Sequence, residues 1–271
     1  MTSRWIEVGD RVFMRRFRTW GPLDFDQNVG LVLGERGPVV VDARGSHRRA
    51  ARVLQELRSI TRSPVFAVIN THHHWDHTFG NAMFKPAPIW GHDNNARHFL
   101  ERGERRRRQV SEIEPRLADE LAEVVLTPPD RTLARHASID LGDRVVHLRH
   151  PGRGHTDNDV VVEVPDASVV FAGDLVVEGS SPGFNDAYPA AWARALGRLE
   201  RDVTRGVIVP GHGGALAASD IGSRRAQMEE MVRLGRAVLR GELGEAAAAK
   251  ASPFPRATSL QAIARLRAEL A

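Results

Sequence analysis

The chain has 271 residues, 38 Lys and Arg against 34 Asp and Glu, a formal net charge of +4, and no Cys. This length suits one large two-layer domain or two small ones, and the absence of Cys excludes disulfides and thiolate chemistry. No apolar run reaches the roughly 18 residues of a spanning helix, and Met1 to Asp10 carries no apolar signal segment, so the expected compartment is the cytoplasm.

In chain order, Phe17-Arg18-Thr19-Trp20-Gly21-Pro22-Leu23-Asp24-Phe25 joins two strand-like runs and sets aromatics beside Gly-Pro. An apolar strand over Gly37–Val41 ends in Asp42. A helix follows over His47–Ile60, with Ser46 as its cap. A strand over Val65–Ile69 then runs into His72-His73-His74-Trp75-Asp76-His77. Residues 92–122 read as polar, Arg/Glu-rich helix. Strands over Arg144–Leu148 and Val160–Val164 flank the Gly-rich turn Pro151 to Asn158, which presents His155. A strand over Ser168–Phe171 ends near Asp174, a helix spans Ala190–Asp202, and a strand over Gly206–Val209 leads to Pro210-Gly211-His212-Gly213-Gly214.

The two halves echo each other: strand to carboxylate, helix, strand to histidine. The echo suggests an internal duplication that gathers the ligand loops at one edge of a two-sheet core. Near-continuous Val/Ile runs suit strands covered by helices. An amphipathic helix is expected over 215–240. One domain is drawn over 1–244. Residues 245–271 are expected to be a linker, with an Ala run, Pro253 and Pro255, leading to a short helix over Ser259–Leu270 packed on that domain.

The chemistry concentrates in the spacing H-x-H-x-D-H. Imidazole is the commonest transition-metal ligand, and carboxylate is its usual partner where a site stays open to water. Four candidate ligands in six residues suit two neighbouring ions better than one. A purification tag would be terminal and uninterrupted, and a closed structural zinc site would commonly use Cys. The segment is neither. His155 and His212 each sit in a Gly-rich turn after a strand, where glycine permits close approach to an ion. His72, His74 and His155 are assigned to one ion, and Asp76, His77 and His212 to the other. Asp174 is placed between them.

The order H-x-H-x-D-H, G-H-T, G-D, G-H-G resembles the metallo-β-lactamase fold superfamily over roughly residues 5 to 240, with all seven ligand positions occupied. The segment His72 to Asn81 and the loop Arg153 to Asp157 look most like its broad bacterial metallo-hydrolase group. The resemblance implies an α/β fold, an αββα four-layer sandwich of two mixed β-sheets flanked by helices, with a dinuclear site at one edge. It implies two Zn2+, iron or manganese being possible substitutes, and hydrolysis of an ester, lactone, thioester or lactam by a metal-bridging hydroxide. Asp76 would orient that nucleophile and shuttle its proton. The best-known zinc β-lactamases carry Cys where this chain has Asp174, and a Lys shortly after it. Leu175-Val176-Val177-Glu178 follows here, which lowers the β-lactamase reading, and an Asp at that place resembles the glyoxalase II, lactonase and sulfur dioxygenase branches.

Two alternatives therefore stand beside the acyl hydrolase: a mononuclear-iron persulfide dioxygenase and a β-lactamase proper. Asp42 is expected to hold a ligand imidazole by its distal N–H, and Thr156 with Asp157 to organise the His155 turn. Trp20, Phe25, Phe184 and Tyr188 are the substrate-loop candidates. His73 is left out of the ligand set as pointing away, and His150 is the remaining histidine nearest a ligand loop. Arg105 to Arg108 reads as a solvated helix face beside Glu101, Glu104 and Glu112 rather than a nucleic-acid surface. The expected partner is a small-molecule substrate, with neither nucleic acid nor membrane.

Overall fold

Two mixed sheets lie face to face in the computed structural model, which describes residues 5–18 and 26–271. The predicted substrate-loop residues Trp20 and Phe25 lie outside the described residues. The first sheet takes its seven strands in sequence order: β1 (Ile6–Gly9), β2 (Val12–Arg18), β3 (Asp26–Val32), β4 (Val39–Val41), β5 (Ala67–Ile69), β6 (Ile89–His92) and β7 (Arg131–Leu133). Its strands up to β4 pair antiparallel, and those from β4 onward pair parallel.

The second sheet contains β8 (His136–Asp140), β9 (Val145–Arg149), β10 (Val161–Val164), β11 (Val169–Val177), β12 (Val207–His212) and β13 (Leu216–Ala217). Its spatial order is β13-β12-β11-β10-β9-β8, with only β11 and β12 parallel. The helices are α1 (His47–Leu57), α2 (Trp75–Thr78), α3 (Asp93–Ile113), α4 (Ala118–Ala122), α5 (Pro189–Asp202), α6 (Ile221–Leu239), α7 (Glu245–Ala251) and α8 (Arg256–Leu270).

Alternation along the strands explains the four layers. Val39, Val41, Ala67 and Ile69 face Val162, Val169 and Phe171 in the core between the sheets. Val40 and Val68 turn outward onto Ala50, Val53 and Leu57 of α1. On the other side Val170 and Ala172 meet Leu196 and Leu199 of α5 and Met228 of α6. Gly30 permits a close sheet-to-sheet contact, because a Cβ there would lie 2.3 Å from the Phe171 ring. The β4-α1-β5 and β11-α5-β12 units repeat the predicted echo, each with a parallel strand pair.

Three boundaries differ from expectation. Helix α1 starts at the Ser46 cap, whose side chain accepts from Arg49 N, but stops at Leu57, where Ser59 turns back onto the Glu56 carbonyl. Strand β11 runs on through Asp174 to Val177, because its register shifts at Gly173 keep it paired with β12. The expected linker after residue 244 is helical. Alanine is the best helix former, and Ala248 and Ala249 are buried in α7.

Helix α8 starts at Arg256 and docks on α5 and α6. Leu266 lies against Gly235, Arg265 donates to the Ala187 carbonyl, and Glu269 accepts from Ala190 N and Ala191 N. Burying each of Ile263 and Leu266 contributes about 1.5–3 kcal/mol. No helix among the described residues is long and apolar enough to cross a membrane.

Candidate metal centre

The site forms where the parallel strands of both sheets end. After β5 the chain passes through Thr71 into a turn holding His72 to His74, and α2 then carries Asp76 and His77. Asp174 projects from β11, and His212 ends β12. Gly211 is required between them, since a Cβ there would lie 1.8 Å from Asp174 Oδ1. Strand β3 pins these segments from below: Asn28 donates to the carbonyls of Pro210 and Gly213, and Gln27 donates to the Asp76 carbonyl.

Two groups of side chains converge. In one, His74 Nδ1 lies 3.0 Å from His72 Nε2 and 2.9 Å from His155 Nε2, and Asp174 Oδ2 lies 3.5 Å from His155 Nε2. In the other, His77 Nε2 lies 3.1 Å from Asp76 Oδ2 and 3.3 Å from His212 Nε2. Asp174 reaches this group too, with Oδ2 3.1 Å from His212 Nε2 and Oδ1 3.4 Å from His77 Nε2. The two sets could each hold a metal ion, with Asp174 between them.

The far side of every ring is tied to an oxygen. His72 Nδ1 faces Thr71 Oγ1 at 3.1 Å, His74 Nε2 faces Asp186 Oδ1 at 3.0 Å, and His77 Nδ1 faces Asp42 Oδ2 at 2.8 Å. His155 Nδ1 and His212 Nδ1 face the carbonyls of Gly183 and Asp26. Carbonyls and carboxylates only accept, and the Thr71 hydroxyl is spent on Asp42, so these outer nitrogens carry the protons. The inner nitrogens then face one another at hydrogen-bond distance, beside Asp174 Oδ1, which is buried without a hydrogen-bond partner. A cation satisfies that arrangement, so the donor set fits divalent metal.

Asp42 is the most constrained of the supporting residues. Its backbone is left-handed at φ 67°, a strained conformation for a non-glycine residue. Its carboxylate accepts from Thr71 N, Thr71 Oγ1 and His77 Nδ1.

Electrostatics separates the groups. Burial, then the charge of His77, lowers His72 well below the usual imidazole range, and burial, then His74, lowers His155 to about 4. Burial also opposes protonation of His77 and His212, but carboxylates outweigh it: Asp76, Asp42 and Asp174 raise His77, and Asp174 and Asp76 raise His212. His74 is raised as well, because Asp186 outweighs its burial.

The centre opens on a cavity of about 310 Å3, lined by its own residues and by Trp75, Arg106, Val177, Ser180, Ser181 and Asn185. Two predicted substrate residues are elsewhere. Phe184 is fully buried against Trp192 and Phe254, because the apolar interior claims it. Tyr188 precedes α5, and the guanidinium groups of Arg153 and Arg265 lie 5.0 and 5.6 Å from its ring centre. His73 also departs from expectation. The turn into α2 aims it at Asp186 Oδ2, 3.2 Å away, rather than outward. His150 stacks on His92 and bonds the Asp159 carbonyl, outside both groups. Thr156 donates its amide and hydroxyl to Asp159, and Asp157 pairs with His98, which shapes the His155 turn. Asp186 and Arg106 are the site residues that the sequence reading missed.

A sequence description of the metallo-beta-lactamase superfamily matches residues 23–212. The chain is 27% identical over 190 residues to the metallo-beta-lactamase type 2 of Bacillus cereus, covering 68% of this chain and 66% of that protein. It is 26% identical over 189 residues to the same enzyme of Bacillus sp. (strain 170), with the same coverage. It thus spans just under two thirds of the length of these curated relatives. Among solved structures, the metallo-beta-lactamase from Pontibacter korlensis superposes with a TM-score of 0.68 at 20% identity, over 84% of this chain and 99% of that one. The FIM-1 enzyme of Pseudomonas aeruginosa in its mono-zinc form gives 0.64 at 21%, over 85% and 96%. Sequence and fold agree: the chain belongs to the metallo-beta-lactamase superfamily, whose members are metal-dependent hydrolases.

Proposed function

We propose that this chain is a zinc-dependent hydrolase cleaving an acyl bond in a small ester, lactone, thioester or lactam, in the cytoplasm. One observation carries the reading: five imidazole nitrogens with fixed outer protons converge with Asp76 and Asp174 beneath a 310 Å3 cavity. His72, His74 and His155 would hold one ion, Asp76, His77 and His212 the other, and Asp174 would serve both. Bound divalent ions supply Lewis acidity and an acidified water near neutral pH. Asp76, lining the cavity with Oδ2 beside His77 and His212, would orient an attacking water and carry a proton to the leaving group. Asp42 and Asp186 hold His77 and His74 in the required tautomer.

A β-lactamase activity is the second reading, favoured by the names of the curated relatives. Asp174 and the absence of a following Lys argue for another acyl substrate. Elemental mass spectrometry after expression with zinc, iron and manganese all present tests the metal. About two zinc per chain, with turnover in an ester, lactone, thioester and lactam screen, is the expected result. One iron per chain with oxygen uptake on a persulfide would overturn it.

A further inference from the structure

The four consecutive arginines of α3 are not equivalent. Arg105 and Arg108 are exposed, and Arg107 donates to Glu104 and the carbonyls of Leu121 and Ala122. Arg106 is half-buried, makes no hydrogen bond or ion pair among the described residues, and lines the cavity shared with His74, Asp76, His155, Asp174 and His212. Helical phase sets its direction. Phe99, Gly103 and Val110 mark the packed face of α3, and position 106 falls between them, three residues after Gly103 and four before Val110. Arg105 and Arg108 extend into water and Arg107 is held by its partners, whereas Arg106 is kept on the inner face, lining the cavity over the centre.

A half-buried guanidinium without a counter-ion gains most from an anion that arrives in the cavity. Its planar fork matches a carboxylate in bidentate fashion. Arg106 is also the one Lys or Arg among the described residues lining this cavity; Ser180, Ser181 and Asn185 add neutral polar groups. One fixed cation suits a single carboxylate better than a phosphate dianion. From this juxtaposition we infer that Arg106 selects a substrate bearing a carboxylate, so that the acyl compound cleaved is anionic. The inference rests on the hydrolase reading for its reaction, but not for its anion site.

Two arms separate those claims. The first compares zinc-loaded protein on 4-acetoxybenzoate and its methyl ester. Arg106→Ala should raise KM for the carboxylate at least about tenfold, the loss expected of a charge-assisted hydrogen bond, and leave the methyl ester within about twofold. Arg106→Lys should recover part of the loss, and Arg105→Ala should change neither ester. The second arm measures succinate binding to the zinc-loaded protein by calorimetry, where Arg106→Ala should weaken affinity at least about fivefold. Equal losses on both esters, or unchanged succinate affinity, would overturn the assignment. Inertness toward both esters and across the lactone, thioester and lactam screen, with the succinate effect intact, would remove the hydrolase reading and leave the anion site standing.

Discussion

The two ligand groups use the same side-chain types but differ in what stands behind them. Around His72, His74 and His155 the outer partners are a hydroxyl, one carboxylate and a carbonyl, and burial favours the neutral form of two of the three rings. Around His77 and His212 stand Asp42, Asp76 and Asp174, and these carboxylates raise both rings above the usual imidazole value. The carboxylates around each group, Asp76 and Asp174 among the candidate ligands and Asp42 behind His77, thus set how readily its rings hold a proton in place of a cation. Two of the three rings of the first group are lowered, whereas the carboxylates of the second favour a proton on its rings when no metal is bound.

The largest expected effect spans both groups. Asp76→Asn in one and His155→Ala in the other should each lower kcat/KM about a thousandfold, about 4 kcal/mol of activation free energy, while circular dichroism stays native. Near wild-type activity in either variant would remove its assigned role.

Zinc titration sharpens the contrast next. Protonated His77 and His212 contribute stability to the metal-free protein. That contribution is fully present below the ordinary imidazole value of about 6.5 and is lost as pH rises through their raised folded values. Zinc must displace those protons, so uptake by the second group should release protons and strengthen by up to about tenfold per displaced proton per pH unit. Calorimetry in two buffers of different ionisation enthalpy reads the release, and a second equivalent insensitive to pH would break the comparison.

Smaller effects separate the supporting carboxylates. Asp186→Asn should weaken the first group's ion about 10–100-fold and Asp42→Asn the second's by a similar factor, each sparing the other. Competition with a chromophoric chelator measures this, and equal losses at both groups would merge them. Smallest of all, Tyr188→Phe should leave KM and stability unchanged, within about 0.5 kcal/mol. Its loop would then serve the first group through Asp186 rather than through an aromatic ring.

Much of this was legible in the sequence where local pattern and tertiary position coincide. Strand-to-ligand junctions at Ile69, Asp174 and Val209 are marked by apolar runs that stop at a polar residue, and the layered sandwich follows from those runs. Asp186 carries no such mark. It lies in an irregular loop after β11, and only the fold sets it against His74. Arg106 was half legible, since its phase with Phe99, Gly103 and Val110 is visible in the letters, but which side of α3 faces the centre is a tertiary fact. Phe184 misled because an aromatic in a loop looks available for ligand, whereas the nearest apolar interior competes for it; Tyr188 stands instead against the guanidinium groups of Arg153 and Arg265. The Ala run after residue 244 failed as a linker because intrinsic helix propensity outweighed the flanking Gly and Pro.

The carboxylate of Glu269 closes the first turn of α5 by accepting from Ala190 N and Ala191 N, where Tyr188 offers no side-chain cap. That turn also carries Trp192, whose ring meets His155 edge-on at 5.4 Å. An element 79 residues downstream therefore finishes the wall beside a ligand. Contacts across such a separation form late, because loop closure must come before them. During synthesis, the wall beside His155 should therefore stay open until Glu269 has left the ribosome and α8 has docked.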